Sequence, residues 1–415
     1  MATPSAAQPL VAAAAPTTAP ASVVASSPTD VTDPATVQEH AATLVRRVRV
    51  TYGLLLVIGF IIGELMQNNV VQWMTHWKIA DAACGTPECI AAQGVYRVSF
   101  ALFLFFLIHY VMSSSWNLCM SASQRVAFNS SYILVKVALL IPVFVICFLI
   151  PNDFFVVFAW LSVVLSCLFL IGQQIVLLEF AYSWSDSWST KGDDGDNKFY
   201  VGLLVCTVVM NLASLTFIGL MYHWFAADTV CQLSQAMVTI TLIAGIVFTA
   251  LSIYSPTGSV LPSATVFLYT TWTCFSALTS SPPGQCNSMS STDSGTWQTV
   301  IGAVFSCVSL VYCSVNAATS RDAFILDSDE ATTQTEEEAE SSCFSFFHGQ
   351  MMLGSCYLAM LLTNWTVTGS DKMAQLVGTT AGAQWAKFGS ELTCIAFYVW
   401  TLVAPILFPS RFAKQ

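Results

Sequence analysis

One recurrence constrains this chain more than anything else. From Val50 onward, runs of about 17 to 25 mostly apolar residues follow one another, each long enough to cross a hydrocarbon core of about 30 Å as a helix. Ten such segments are expected, near residues 50–66, 95–113, 132–150, 154–182, 199–225, 236–254, 260–279, 297–315, 344–363 and 385–408. They are about twice the length of a barrel strand and lack its alternation, so the expected fold class is all-α, a polytopic membrane protein. Composition closes the alternatives. With 55% hydrophobic and 9% charged residues, the chain has far fewer charges than the roughly 25% of a soluble domain. A net charge of −10, with no Lys/Arg cluster interleaved with aromatics, excludes a basic nucleic-acid binder.

Residues 1–45, rich in Ala, Pro, Ser and Thr, read as a disordered cytosolic tail. They lack the basic n-region and longer h-region of a cleaved signal peptide. Residues 46–415 form the transmembrane domain, with an acidic cytosolic loop at 316–343 inside it. Lys and Arg set the orientation. With the N-terminus inside, Arg46, Arg47, Arg49, Arg125, Lys136, Lys191, Lys198, Arg321, Arg411 and Lys414 fall on the cytosolic side, against Lys78, Arg97, Lys372 and Lys387 on the other. Both termini are therefore expected in the cytosol, in an endomembrane or the plasma membrane.

Most of the 14 cysteines lie in apolar runs, where they act as small hydrophobes. Cys84, Cys89, Cys231 and Cys286 fall in extracytosolic loops, where disulfides are permitted. Four cysteines allow three pairings; Cys84 with Cys89 and Cys231 with Cys286 is the favoured one. A zinc site is less favoured, because no histidine pair at ligand spacing accompanies them.

The fourth segment departs from the rest. It starts after Pro151, stays apolar to about Tyr182 and runs on through Ser183 to Trp188 without Gly or Pro. A helix over 154–182 measures roughly 43 Å, so it must tilt steeply or protrude from the bilayer. Ser162, Ser166 and Gln173 share one face of it, which should look at protein or a wet groove rather than lipid. With Gln174, and Glu179 near the cytosolic mouth, they are the candidate path for a lipid headgroup.

Signatures of soluble enzymes are missing: G-x-G-x-x-G, Walker A, H-E-x-x-H and G-x-S-x-G do not occur. No catalytic residue, metal or cofactor is expected. Of the five histidines, only His109 and His348 lie in or beside a span, where a helix-end hydrogen-bonding role outweighs catalysis. Acids and bases at membrane depth are more informative, since each must find a partner or water. Glu64 and Lys136 can snorkel from span ends, and Lys387 stands one turn from Glu391 as a neutralising neighbour. Gly59 and Gly63 make a GxxxG, the mark of a close helix contact.

Several stretches together resemble the serine incorporator (Serinc) family. They are Val95-Tyr96-Arg97-Val98; Leu177 to Trp188, which includes Trp184, Asp186 and Trp188; Leu268 to Leu278; Phe344 to His348; Leu361 to Trp365, with Asn364 and Trp365; and Tyr398 to Pro405, with Trp400 and Pro405. The resemblance covers about residues 45–412. It implies ten helices in two bundles around a long diagonal helix. It also implies a non-enzymatic role in lipid handling, either serine supply to phosphatidylserine and sphingolipid synthesis or passive phospholipid scrambling. The alternative is a secondary transporter of serine or another small polar solute. Expected partners are membrane phospholipids, then serine and lipid-synthesis enzymes, with no nucleic acid. The chain departs from the family pattern in its Ala/Pro tail, in Ser280-Ser281-Pro282-Pro283 ahead of Cys286, and in carrying Glu179 where relatives tend to have Asp.

Overall fold

A computed structural model describes residues 34–68, 87–116, 119–255, 258–281, 286–287, 304, 308, 336–363, 365, 367 and 380–408. Leu44–Gln415 form one compact unit, and the packing described here is within it. The described helices are α1 (Pro34–Asn68), α2 (Pro87–Ser113), α3 (Ala122–Ser130), α4 (Ile133–Cys147), α5 (Asn152–Asp193), α6 (Asn197–Phe225), α7 (Gln232–Tyr254), α8 (Val260–Thr279), α9 (Glu336–Leu362) and α10 (Thr380–Leu407). No β-strand occurs among the described residues.

Six of these helices contain a stretch long and apolar enough to cross a membrane: Arg47–Gln67, Cys89–Ser113, Asn152–Asp193, Asn197–Phe225, Gln232–Tyr254 and Gly382–Leu407. The 132–150 segment belongs to a broken element. Helices α3 and α4 meet at a bend of 73° and make a seventh span only if taken together. Ser121 caps α3 reciprocally with Gln124, and Tyr132, at φ 54°, turns the chain into α4. The 260–279 and 344–363 segments are helical but less apolar than the six. Both are inner helices: Ser263, Thr270, Thr271 and Thr273 of α8, and Ser341, His348 and Ser355 of α9, are buried against protein. A helix shielded from lipid on most sides can carry polar residues that a lipid-facing one cannot. Apart from Val304 and Val308, the 297–315 segment lies outside the described residues.

Two expected boundaries shift. Helix α1 begins at Pro34, inside the stretch read as a disordered tail. Proline suits the first helical position, and Ala, Gln, Glu and Arg then favour continuation. Helix α9 begins at Glu336, inside the acidic loop.

The apolar side chains collect in two cores. The first joins Tyr52, Leu55 and Leu56 of α1, Tyr96, Phe100 and Phe106 of α2, Phe155, Phe158 and Phe169 of α5, and Phe344, Phe347 and Met351 of α9. The second joins Leu178 of α5, Ile218, Met221 and Phe225 of α6, Met237 and Phe248 of α7, Phe267 and Phe275 of α8, and Cys394, Tyr398 and Leu402 of α10. At 42 residues, or about 63 Å, α5 outlasts any other described helix and enters both cores, as α10 does through Ala383 in the first and Phe388 in the second. Glycines set the close approaches. A Cβ on Gly59 would lie 2.2 Å from Leu102 Cδ1, one on Gly63 2.5 Å from Leu362 Cδ1, and one on Gly245 2.2 Å from Phe267 Cε2. The GxxxG of α1 thus serves contacts to two different helices.

Cys231 and Cys286 are bonded to each other, closing a loop around α7 and α8. Cys89 is also in a disulfide; Cys84 lies outside the described residues. Cys147, Cys274, Cys356 and Cys394 are buried free thiols.

Candidate functional site

The polar residues expected along α5 are buried. Ser162, Ser166 and Gln174 are fully enclosed and Gln173 nearly so, while Glu179 is half-buried. Their shared face looks at protein. Ser166 donates to the carbonyl of Ser162 at 2.5 Å, and Ser162 abuts the Cys356 thiol of α9. Gln174 Nε2 donates to both the carbonyl and Oγ of Ser390 on α10, each at 2.7 Å. Next to these, Phe169 stacks on Tyr357 of α9 at 4.9 Å. A Cβ on Gly172 would meet the Gln350 amide at 2.9 Å. This seam is where α5 leaves the first core and enters the second.

Beyond the seam, Phe180, Trp184 and Trp188 form a ladder at helical spacing, with ring centroids 5.9 and 5.5 Å apart. Trp188 packs on Phe199 and lies over Gly202 of α6, and Ser185 bonds Ser259 at 2.6 Å. Asp186 is exposed. Of the C-terminal motif residues, Trp365 is buried, with its backbone in the left-handed region at φ 60°, Trp400 is exposed, and Pro405 lies inside α10. Asn364 lies outside the described residues.

Two polar clusters inside the cores were only partly legible. In the first core, α1, α2, α3, α4 and α9 bring together Tyr52, His109, Asn129, Lys136 and His348. Tyr52 Oη lies 3.5 Å from His109 Nε2 and donates to the carbonyl of Asn129 at 3.3 Å. The Asn129 side chain meets Ser113 Oγ and His348 Nε2, each at 2.8 Å. The two histidine rings stand 5.1 Å apart. Both are buried; His109 stands one turn before the end of α2, while His348 lies in the middle of α9, not at a helix end as expected. Lys136 does not snorkel to water: its ammonium donates to Tyr52 Oη at 3.3 Å and to the carbonyl of Phe128, with the Phe128 ring 4.0 Å away. It thereby neutralises the negative end of α3.

Arg97 was read only as an extracytosolic base, yet it is fully buried in α2. Its guanidinium donates to the carbonyl and Oε1 of Gln93 at 3.0 and 3.1 Å and to Asn152 Oδ1 at 2.5 Å, and it lies over Phe155. Gln93 one turn earlier was the only sequence signal, because Asn152 arrives from another helix.

In the second core, Glu391 is fully buried on α10. Its Oε1 accepts from Thr241 of α7 at 2.5 Å, the Cys274 thiol of α8 is its other polar neighbour, and Oε2 has no hydrogen-bond partner. Lys387 instead donates to Ser280 Oγ at 2.6 Å and to the Ser276 carbonyl at 3.5 Å, both on or beside α8. The expected Lys387–Glu391 pairing is not made, because each side chain finds a partner on a different neighbouring helix.

The family model for Serine incorporator (Serinc) matches residues 33–344 and 327–411. The chain belongs to the serine incorporator family. A membrane protein of Schizosaccharomyces pombe is 31% identical to it, over 83% of this chain and 88% of its own length. A probable serine incorporator of Nematostella vectensis is 27% identical, over 88% and 90%. Serine incorporator 3 of Bos taurus is 28% identical, over 78% and 81%. In this serine incorporator, the aromatic ladder, the buried Arg97 and the seam along α5 all fall in matched stretches.

Proposed function

We propose that this serine incorporator handles membrane lipid without chemistry, passing phospholipid headgroups between leaflets along the α5 seam while acyl chains stay in the bilayer. The observation that carries the reading is the seam itself. Ser162, Ser166, Gln173 and Gln174 put a line of hydrogen-bonding groups along α5 where it passes from the first core to the second. Polar groups there are costly and mark pathways. The Gln174–Ser390 contact is the tie that must open for a headgroup to enter, and Glu179 stands on the same helix between the seam and the aromatic ladder. Serine supply to phosphatidylserine and sphingolipid synthesis is the second part of this reading, with both termini cytosolic.

The test is fluorescence-quench scrambling in liposomes holding the purified protein. Signal from the inner leaflet should be lost faster than in protein-free vesicles, and Gln174→Leu, which removes the tie, should change that rate. No loss with folded protein present rejects scrambling.

A second reading, carriage of serine or another small polar solute, is favoured by one observation. Glu391 and Thr241 form a buried pair with an unsatisfied carboxyl oxygen inside the second core. Saturable serine uptake into proteoliposomes, abolished by Glu391→Gln, would support it over scrambling.

A further inference from the structure

A crevice of about 430 Å³ lies between α1, α2 and α4, away from the α5 seam. Its lining is wholly apolar and includes Leu55 and Gly59 of α1, Leu102 of α2, and Leu134, Ala138 and Phe144 of α4. Interiors seldom leave voids larger than a water, and an apolar cavity of roughly 150 Å³ already accepts benzene. This crevice is a groove open on one side, not a sealed void, and its volume is room that an apolar chain can enter from outside. It opens sideways: Leu134 is 85% exposed, and Ile58 and Ile141 on the same walls are exposed too. α1 and α2 each contain a stretch long and apolar enough to cross a membrane, and α4 completes a seventh only with α3, so an apolar opening between them suits a lipid chain.

The crevice has a charged end. Tyr52 precedes Leu55 by one turn on the same face of α1, and Lys136 precedes the lining residue Leu140 by one turn on α4. The Lys136 ammonium and Tyr52 hydroxyl meet at 3.3 Å, so this pair marks one end of the crevice. Lys136 is half-buried, and two oxygens, Tyr52 Oη and the Phe128 carbonyl, take its protons. An ammonium has three, which leaves one donor and a full positive charge with no carboxylate among its bonded partners. Arg47 and Arg49 stand within two turns on α1 at the same end. The acid nearest in sequence, Glu64, follows Ile62 at the other end.

From this juxtaposition we infer that the crevice is a binding site for an anionic glycerophospholipid, with an acyl chain along the α1–α2–α4 walls and the phosphate at Lys136. Basic pockets between transmembrane helices recognise such headgroups, while the apolar walls alone would take any acyl chain. Charge at one end supplies the selectivity. The site does not depend on lipid transfer along α5. It is read at equilibrium in detergent, where there are no leaflets, so a negative scrambling result leaves it standing.

The test is native mass spectrometry of the full-length, delipidated protein titrated with phosphatidylglycerol or phosphatidylcholine carrying identical acyl chains. Phosphatidylglycerol should bind at least about tenfold more tightly. Lys136→Gln should reduce it to the phosphatidylcholine level, and Lys136→Arg should keep the preference. Ala138→Trp, at an exposed position on the crevice wall, should weaken both lipids. If Lys136→Gln does not fold, the Lys136→Arg and Ala138→Trp pair still decides. Equal binding of the two lipids by the unaltered protein overturns the headgroup assignment, and unchanged binding by Ala138→Trp overturns the crevice.

Discussion

The two cores solve the same problem, polar groups inside an apolar protein, in opposite ways. The first buries cations and surrounds them with neutral oxygens and ring faces: Arg97 among Gln93, Asn152 and Phe155, and Lys136 between Tyr52, the Phe128 carbonyl and the Phe128 ring. The second buries an acid, Glu391, and gives it one hydroxyl, one thiol and an unsatisfied oxygen. A guanidinium with four hydrogen bonds is a structural tie holding the α4–α5 turn to α2. A buried carboxyl group with one oxygen unsatisfied adds no comparable tie, since burying an unpaired acceptor costs rather than helps.

The largest expected effect tests how far the second core depends on covalent closure. Cys231→Ser should lower unfolding stability by about 3 to 4 kcal/mol, because the bond closes a loop with a sequence separation of 55. Thermal unfolding in detergent under non-reducing conditions measures this, and unchanged stability would show that α7 and α8 hold without it. Next, Arg97→Met should cost about 3 kcal/mol by leaving Gln93, Asn152 and the Ile150 carbonyl without their donor. If Arg97→Met is as stable as the parent, the first core is not organised around that cation. Gly245→Val should cost about 1 to 3 kcal/mol, since the added side chain meets the Phe267 ring. The same change at Gly59 should cost less, because Leu102 can rotate away into the adjoining crevice. The sharpest contrast is the smallest in stability. Glu391→Gln keeps an acceptor for Thr241 and should move stability by less than about 1 kcal/mol. A large loss would make Glu391 a structural tie like Arg97.

The sequence read the long α5 well, because an apolar run with no proline after Pro151 and only Gly172 within it favours one helix, and the structure extends it to 42 residues. It read the Cys231–Cys286 bond from loop position alone. It expected α8 and α9 to be spans like the rest, and neither has the apolarity of the six, since run length does not reveal which helices lie inside. For the candidate site, it found Ser162, Ser166, Gln173 and Gln174 by their common face, but not Ser390, which is 216 residues from Gln174. His109 and His348 lie on different helices, and no local pattern announces that their rings meet.

What the sequence determined by itself is therefore what depends on neighbours along the chain: an all-helical membrane protein, the unusual extent of α5 beyond a simple span, the helix-spaced aromatics from Phe180 to Trp188, and the family. Only the tertiary structure decided which polar groups share a pocket. Arg97 found Asn152, Lys136 found Tyr52, and Glu391 turned to Thr241 instead of Lys387 one turn away. Periodicity fixes the face a side chain occupies, but the partner on that face comes from whichever helix packs there, and that is settled by the fit of whole surfaces.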